Sequence, residues 1–272
     1  MAFFRLTLPA LAVSATLALA AGSAFAACSD TAAGFEDWLA TIKQDALAQG
    51  ISRQTVDSAL SGLSYDPKVI RADRNQNHFK QSFEQFSGRM IPPRVKRAKS
   101  MLNQHASVLS RIEQQYGVPA EVVVAIWGLE TDFGAVKGNS STLRSLATLA
   151  FDCRRSDFFT GQLFDALRII DRGDLAPEQM RGGLHGELGQ TQFLPSSYVA
   201  FAVDFDGNGR ADLLGSPTDV LASTANYLRG YGWQPGQPWH EGTGNFQVIK
   251  AWNKSQVYSQ TVAEFARRLA EG

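Results

Sequence analysis

The 272-residue chain balances 26 Lys and Arg against 26 Asp and Glu, so it carries no net formal charge. That neutrality excludes the broad basic surface by which proteins usually grip nucleic acid, and the basic run Arg94 to Lys99 reads as a solvated helix face. The length suffices to bury a sizeable core in one large domain or two modest ones.

Residues 1–26 read as a secretory signal: Arg5 precedes an apolar stretch from Leu6 to Ala21, and Ala24-Phe25-Ala26 gives a small-x-small cleavage pattern. No other stretch approaches the roughly 18 apolar residues of a membrane span, so the mature chain is expected not to cross one. Export would put Cys28 and Cys153 in an oxidising compartment, where a disulfide between them is predicted. The competing reading is lipidation of Cys28. Phe25-Ala26-Ala27 is a poor context for that, and it would leave Cys153 without a partner.

The mature chain then reads as mostly helix. Phe35, Leu39, Ile42, Ala46 and Leu47 recur at helical spacing from Ala33 to Gln49 and stop at Gly50. Ser52 caps a second predicted helix through Leu60, and Ser64 to Pro67 reads as a turn. Further helices are expected over Gln76 to Phe86 and, after Pro92-Pro93, from Arg94 to Tyr116. Gly134, Gly138, Asn139, Ser140 and Ser141 are turn and short-strand chemistry, so a small sheet is expected there. Helices return over Thr142 to Phe151, Phe158 to Ile170, Gln190 to Ala202, Pro217 to Arg229 and Val257 to Leu269.

One stretch carries chemistry on its own terms. Between Val118 and Leu129 the only charge is Glu121, and Val122 to Leu129 is apolar on every face, which predicts a helix buried all round with Pro119 in its first turn. Glu130 at its far end loses water, which raises its pKa towards the range of a general acid. Asp132, two residues on, points to another side of the helix and reads as a turn or capping acceptor. Glu187, in the glycine-dense Gly182 to Gly189, is a second carboxylate with no geometric warrant from sequence.

The run Gly186-Glu187-Leu188-Gly189-Gln190-Thr191-Gln192-Phe193-Leu194-Pro195-Ser196-Ser197-Tyr198, with Glu130-Thr131-x-Phe133-Gly134 upstream, resembles the lytic murein transglycosylases of the B type. The likeness extends through Trp252-Asn253-Lys254-Ser255 and Tyr258. It implies a mainly α (α+β) fold with a lysozyme-like core and a small sheet, acting on peptidoglycan glycan strands. The bond cleaved would be the β-1,4 link between N-acetylmuramic acid and N-acetylglucosamine. Glu130 matches the single acid and base, which needs no partner carboxylate because the attacking C6 hydroxyl belongs to the substrate itself. Gln192 matches a groove glutamine, Tyr227 an aromatic beside the acid, and Arg154 and Arg155 a groove-side arginine pair. Asn253 and Tyr258 match residues near the catalytic centre, with Trp252 at a neighbouring site. As residues alone, Tyr227 and Trp252 also read as core positions of amphipathic helices.

Two departures stand out. Gly183-Leu184-His185 replaces a common serine, aromatic and alanine, so any hydroxyl contact from that position is lost, and Phe86 sits where a groove tyrosine is common. His185 has no second His or Cys at ligand spacing.

The loop Asp204 to Asp212 matches the first half of an EF-hand, with donors Asp204, Asp206 and Asn208, the Arg210 carbonyl and Asp212. Position 12 is Gly215 instead of Glu. The resembling enzymes close a longer calcium loop with an aspartate where Asp219 stands, so a structural calcium is expected over 204–219; the bland reading is a polar turn followed by a cap.

These readings give a signal at 1–26, an N-terminal helical region at 27–115 and a catalytic core at 116–272. The protein is expected to be a periplasmic monomer needing no cofactor for catalysis. Its rivals are a muramidase, in which water attacks, and a catalytically silent peptidoglycan-binding protein.

Overall fold

The computed structural model describes residues 28–75 and 81–272; the predicted signal lies outside them. Thirteen α-helices and one two-stranded sheet are found among the described residues. In chain order they are α1 (Phe35–Ala48), α2 (Arg53–Leu60), α3 (Pro67–Arg74), α4 (Phe83–Met90), α5 (Pro92–Gln104), α6 (Ala106–Tyr116), α7 (Ala120–Thr131), β1 (Ser140–Ser141), α8 (Thr142–Phe151), α9 (Ser156–Asp171), β2 (Arg181–Gly182), α10 (Pro195–Phe201), α11 (Pro217–Gly230), α12 (Gly244–Trp252) and α13 (Gln256–Ala270). β1 and β2 pair antiparallel, Ser140 opposite Gly182.

α7 is the axis of the molecule. Every residue from Val122 to Leu129 is buried, and α5, α6, α11 and α13 pack around it, as an all-round apolar helix requires. Burying each large side chain of this run stabilises the fold by roughly 1.5–3 kcal/mol, so its helical state is decided by packing rather than by its four β-branched residues. On the other side, α8 and α9 pack together and carry α1, α2 and α3. Cys28 and Cys153 are joined, with Cα atoms 4.9 Å apart across 125 residues, and Ser29 N–H donates to the Phe151 carbonyl beside them. In the chain-entropy picture such a bridge adds about 4–5 kcal/mol.

Five segments differ from expectation. The Arg94 to Tyr116 helix is two helices, broken at His105, because α5 packs against α4 and α7 while α6 turns its Leu109, Ile112 and Tyr116 stripe towards α7 and α11. No proline or glycine marks that break. α3 occupies sequence read as following a turn; Asp66 caps it by accepting from Lys68 N–H at 2.9 Å, and Pro67 sits at its first position. The helix expected from Gln76 begins instead at Phe83, where Ser82 and Gln85 form a capping box; residues 76–80 lie outside the described set. The helix expected from Gln190 begins only at Pro195, because Leu188 and Phe193 exchange backbone hydrogen bonds and fold Gln190 to Gln192 into a tight turn. α12 has no counterpart among the expected elements, although Thr243 caps it.

Candidate active site

Glu130 stands in the last turn of α7, and the chain leaves that helix through two consecutive non-glycine residues in the left-handed region, Asp132 (φ 53°) and Phe133 (φ 58°). Gln192 (φ 53°) is the third such residue and lies across the same groove. Backbone of this kind costs of order 1 kcal/mol per residue, and it persists where surrounding contacts impose it. Gln190 imposes much of it here. Trp127 Nε1 donates to Gln190 Oε1 at 3.0 Å, Gln190 Nε2 donates to the Leu214 carbonyl at 3.1 Å, and Thr131 Oγ1 donates to the Gln190 carbonyl. The glycine-rich segment is thereby fastened to the end of α7.

Two donors from the C-terminal helices meet Glu130. Tyr258 O–H, at the start of α13, donates to Oε1 at 2.6 Å, and Trp252 Nε1, at the end of α12, donates to the same oxygen at 2.9 Å. Among the described residues no hydrogen bond occupies Oε2, which leaves it for a ligand. Glu130 is half-buried. Its burial raises its pKa, the Tyr258 and Trp252 bonds oppose that, and the nearby Glu187 carboxylate adds to it; the net direction is upward. Tyr258 is pushed well above the ordinary tyrosine range, first by its own burial and then by the Glu130 charge, so it stays a donor.

The groove over Glu130 has a volume of about 780 Å³. Tyr227 forms one wall, stacked on Tyr231 (centroids 4.4 Å apart, planes at 22°) and edge-on to Trp252 at 4.8 Å, with Phe193 packed edge-on against Trp252 at 5.2 Å. These rings fix the indole so that its N–H faces Glu130. Tyr227 O–H donates to the Ala251 carbonyl at 2.9 Å, so Tyr227 offers the groove a ring face. Asn253 Oδ1 accepts from Ser255 N–H at 3.0 Å, which leaves Nδ2 as its groove donor. Gln192 is oriented the opposite way: Nε2 donates to the Gly189 (2.9 Å) and Lys137 (3.1 Å) carbonyls, and Oε1 is left as an acceptor.

The structure therefore brings Glu130, Gln192, Tyr227, Trp252, Asn253 and Tyr258 together. Arg154 and Arg155 are not part of the groove lining. Both guanidinium groups pair with the buried Asp73 on α3, and Arg155 lies over the Phe159 ring at 4.7 Å. The reason is electrostatic, because Asp73 is only 2% exposed and needs the neutralising charge. Phe86 is likewise buried and away from the lining. Asp132 faces Arg94 (3.6 Å) and Arg97 (3.8 Å) on α5, away from Glu130.

Residues not singled out from sequence complete the rim: Phe158, 46% exposed, and Tyr231, 50% exposed, are large rings turned to solvent where a sugar face could stack. Tyr231 stands four residues after Tyr227, just past the end of α11, a spacing that could have revealed it; Phe158 leaves no comparable signal. Glu187 and His185 also line the groove, so the second carboxylate does stand beside Glu130.

The acidic loop before α11 is built on Asp219, which is fully buried and accepts from the backbone N–H groups of Phe205 (2.8 Å), Asp206 (3.2 Å) and Asp212 (2.9 Å). Asp204, Asp206 and Asp219 each offer an oxygen within 4.8 Å of the others. An oxygen-only set of three carboxylates, with Asn208 and the Arg210 carbonyl on the same loop, fits a hard divalent cation such as calcium and suits neither zinc nor copper.

Residues 34–243 match the family model for the transglycosylase SLT domain. Over 148 residues, 54% of its length, the chain is 40% identical to the membrane-bound lytic murein transglycosylase B of Escherichia coli K12, of which it spans 41%. The chain thus covers less than half of that relative. SltB3 of Pseudomonas aeruginosa, in complex with NAG-NAM-pentapeptide, superposes with a TM-score of 0.82 at 35% identity, over 88% of this chain and 80% of that one. The same enzyme has been solved with NAG-anhNAM-pentapeptide. Escherichia coli Slt35 in complex with calcium superposes with a TM-score of 0.76 at 27% identity, over 91% and 96% of the two chains.

Proposed function

This chain belongs to the transglycosylase SLT-domain family, among the lytic murein transglycosylases of the B type, and from that premise we propose that it cleaves the MurNAc-β-1,4-GlcNAc bond of peptidoglycan without consuming water. The observation that carries the reading is the state of Glu130: one oxygen held by two donors, the other bare in an aromatic groove, with a pKa raised by burial.

That arrangement suits one residue acting twice. Glu130 Oε2 gives its proton to the glycosidic oxygen as the C1–O bond breaks. The acetamide oxygen of the same sugar stabilises the positive charge at C1. The Glu130 carboxylate, its Oε1 steadied by Tyr258 and Trp252, then takes the proton of the C6 hydroxyl as that oxygen attacks C1. A 1,6-anhydro ring forms, and Glu130 is again protonated. The nucleophile is tethered to the reacting carbon, which replaces the second carboxylate of ordinary glycosidases through effective concentration. Asn253 Nδ2 and Gln192 Oε1 supply a donor and an acceptor for acetamide groups, and Tyr227 and Trp252 supply ring faces.

Calcium would be held by Asp204, Asp206, Asn208, the Arg210 carbonyl and Asp219 as a structural ion, keeping the loop closed on α11. Periplasmic placement agrees with the predicted leader, with the disulfide and with where peptidoglycan lies. No helix of the described residues is long and apolar enough to cross a membrane.

Digestion of purified sacculi followed by mass analysis tests the reaction. Products lighter by one water than reducing-end fragments are expected. Reducing ends alone would make the protein a muramidase, and no release of fragments would leave it a binding protein.

A further inference from the structure

Gly183 lies in the groove wall, and its backbone is outside the left-handed region, so nothing in its conformation calls for glycine. What excludes a side chain is another side chain. A Cβ built at Gly183 would stand 2.4 Å from Glu187 Oε2 and 3.1 Å from Gln192 Oε1. The hollow over Gly183 is therefore flanked by two acceptor oxygens. Glu187 is held there by its neighbour: His185 N–H donates to Oε2 at 3.2 Å, and His185 Nδ1 lies 3.7 Å from Oε1. Gln192 cannot rotate to present its amide N–H, because both of its amide hydrogens point to the Gly189 and Lys137 carbonyls. Glu187 Oε2 keeps lone pairs beyond the one that takes the His185 N–H. It and Gln192 Oε1 therefore put two acceptors on one space, with no protein donor between them among the described residues, and a ligand N–H placed there would be matched by both.

We propose that Glu187 is a substrate-contacting residue, and that with Gln192 Oε1 it forms a two-acceptor cradle over Gly183 which selects the N–H group at C2 of a glycan sugar. The proposal rests on the peptidoglycan reading above and deepens it by naming the atom recognised. Two sources share the chemistry: the acetamide N–H of an ordinary sugar and the ammonium of a de-N-acetylated one. A carboxylate partner makes the bond charge-assisted, so its removal is felt more than that of a neutral acceptor. The same geometry explains Gly183, since a side chain there would swing the flexible end of Glu187 out of the cradle without disturbing the backbone.

Binding is measured by calorimetry in the Glu130→Gln background, where cleavage is expected to be slow on the timescale of a titration. Mass analysis of the probes recovered afterwards checks that they are intact, so that the readout is binding whatever the role of Glu130. The probes are a NAG-NAM tetrasaccharide and its counterpart carrying a free amine in place of the NAG acetamide. Glu187→Ala is expected to weaken binding of the preferred probe about tenfold or more. Gly183→Ser should weaken it similarly, and adding Gly183→Ser to Glu187→Ala should cost little more, because both remove the same contact. Unfolding curves keep the comparison to folded protein. A preference for either probe that Glu187→Ala erases supports the cradle and identifies its source. Unchanged binding in Glu187→Ala, or fully additive losses in the double variant, overturns it. Failure of this test would leave the sacculus digestion unaffected.

Discussion

Glu130 and Asp219 are both carboxylates at helix ends whose pKa burial pushes up, yet they are arranged for opposite purposes. Asp219 is in the first turn of α11, where the positive end of the helix favours an anion, and three backbone N–H groups engage both of its oxygens. Glu130 is in the last turn of α7, where the negative end of the helix disfavours an anion, and its two donors are side chains on a single oxygen. Asp219 is thus tied to the backbone of its own loop, and removing it would leave three backbone N–H groups without their acceptor. Glu130 is held on one side and presented on the other. The difference teaches that burial alone does not separate the proposed catalytic carboxylate from the structural one; the free oxygen and the helix end do.

The sharpest test of this contrast is the pair of neutral isosteres. Glu130→Gln should lower glycan cleavage by about 10²–10⁴-fold, measured by turbidity loss of sacculi, while leaving the fold intact. Asp219→Asn or Asp219→Ala should do the reverse, destabilising by about 3 kcal/mol in denaturant titration with activity kept per folded molecule. If Asp219→Asn were as stable as the parent, the structural half of the comparison would be wrong.

Tyr258→Phe separates holding from presenting. Without that donor the ionised form of Glu130 is less favoured, so its pKa rises further; cleavage should fall about tenfold, and the alkaline limb of its pH profile should move to higher pH. A shift to lower pH would contradict the assignment of Tyr258 as donor. Calcium should raise the melting temperature of the parent by about 3–6 °C at tenfold excess over its dissociation constant, and that of Asp204→Ala hardly at all. Equal shifts would remove calcium from this loop.

The smallest effect concerns stability against pH. The folded-state pKa of Glu130 lies above its unfolded value, so its protonated form supports the fold at low pH and that contribution is lost as pH rises through the folded pKa. Glu130→Gln should therefore melt slightly higher than the parent near neutrality, with the difference fading as pH falls from the raised folded pKa to the ordinary glutamate value.

Much of the helical framework was legible because its signals are local. Ser52, Pro217 and the apolar spacing in α1, α8 and α13 sit in the sequence where the structure uses them. The break at His105 and the turn at Gln190 to Leu194 were not, because each depends on a partner far along the chain: α11 for the first, and Leu213, Leu214 and Trp127 for the second. Among site residues, the Glu130 environment could be read from the apolar run before it. The pairing of Arg154 and Arg155 with Asp73, across about eighty residues, could not.

By itself the sequence determined that a carboxylate would emerge from a wholly buried helix, since eight apolar residues in succession can be satisfied only by surrounding protein. It also determined the disulfide's two cysteines and the oxygen-rich composition of the loop at 204–219. Only the tertiary structure decided which oxygen of Glu130 is free, because Trp252 and Tyr258 approach from more than 120 residues away. It alone placed Glu187 against Gly183, for the room taken by one side chain at another's position is a property of the folded backbone and has no trace in composition or spacing.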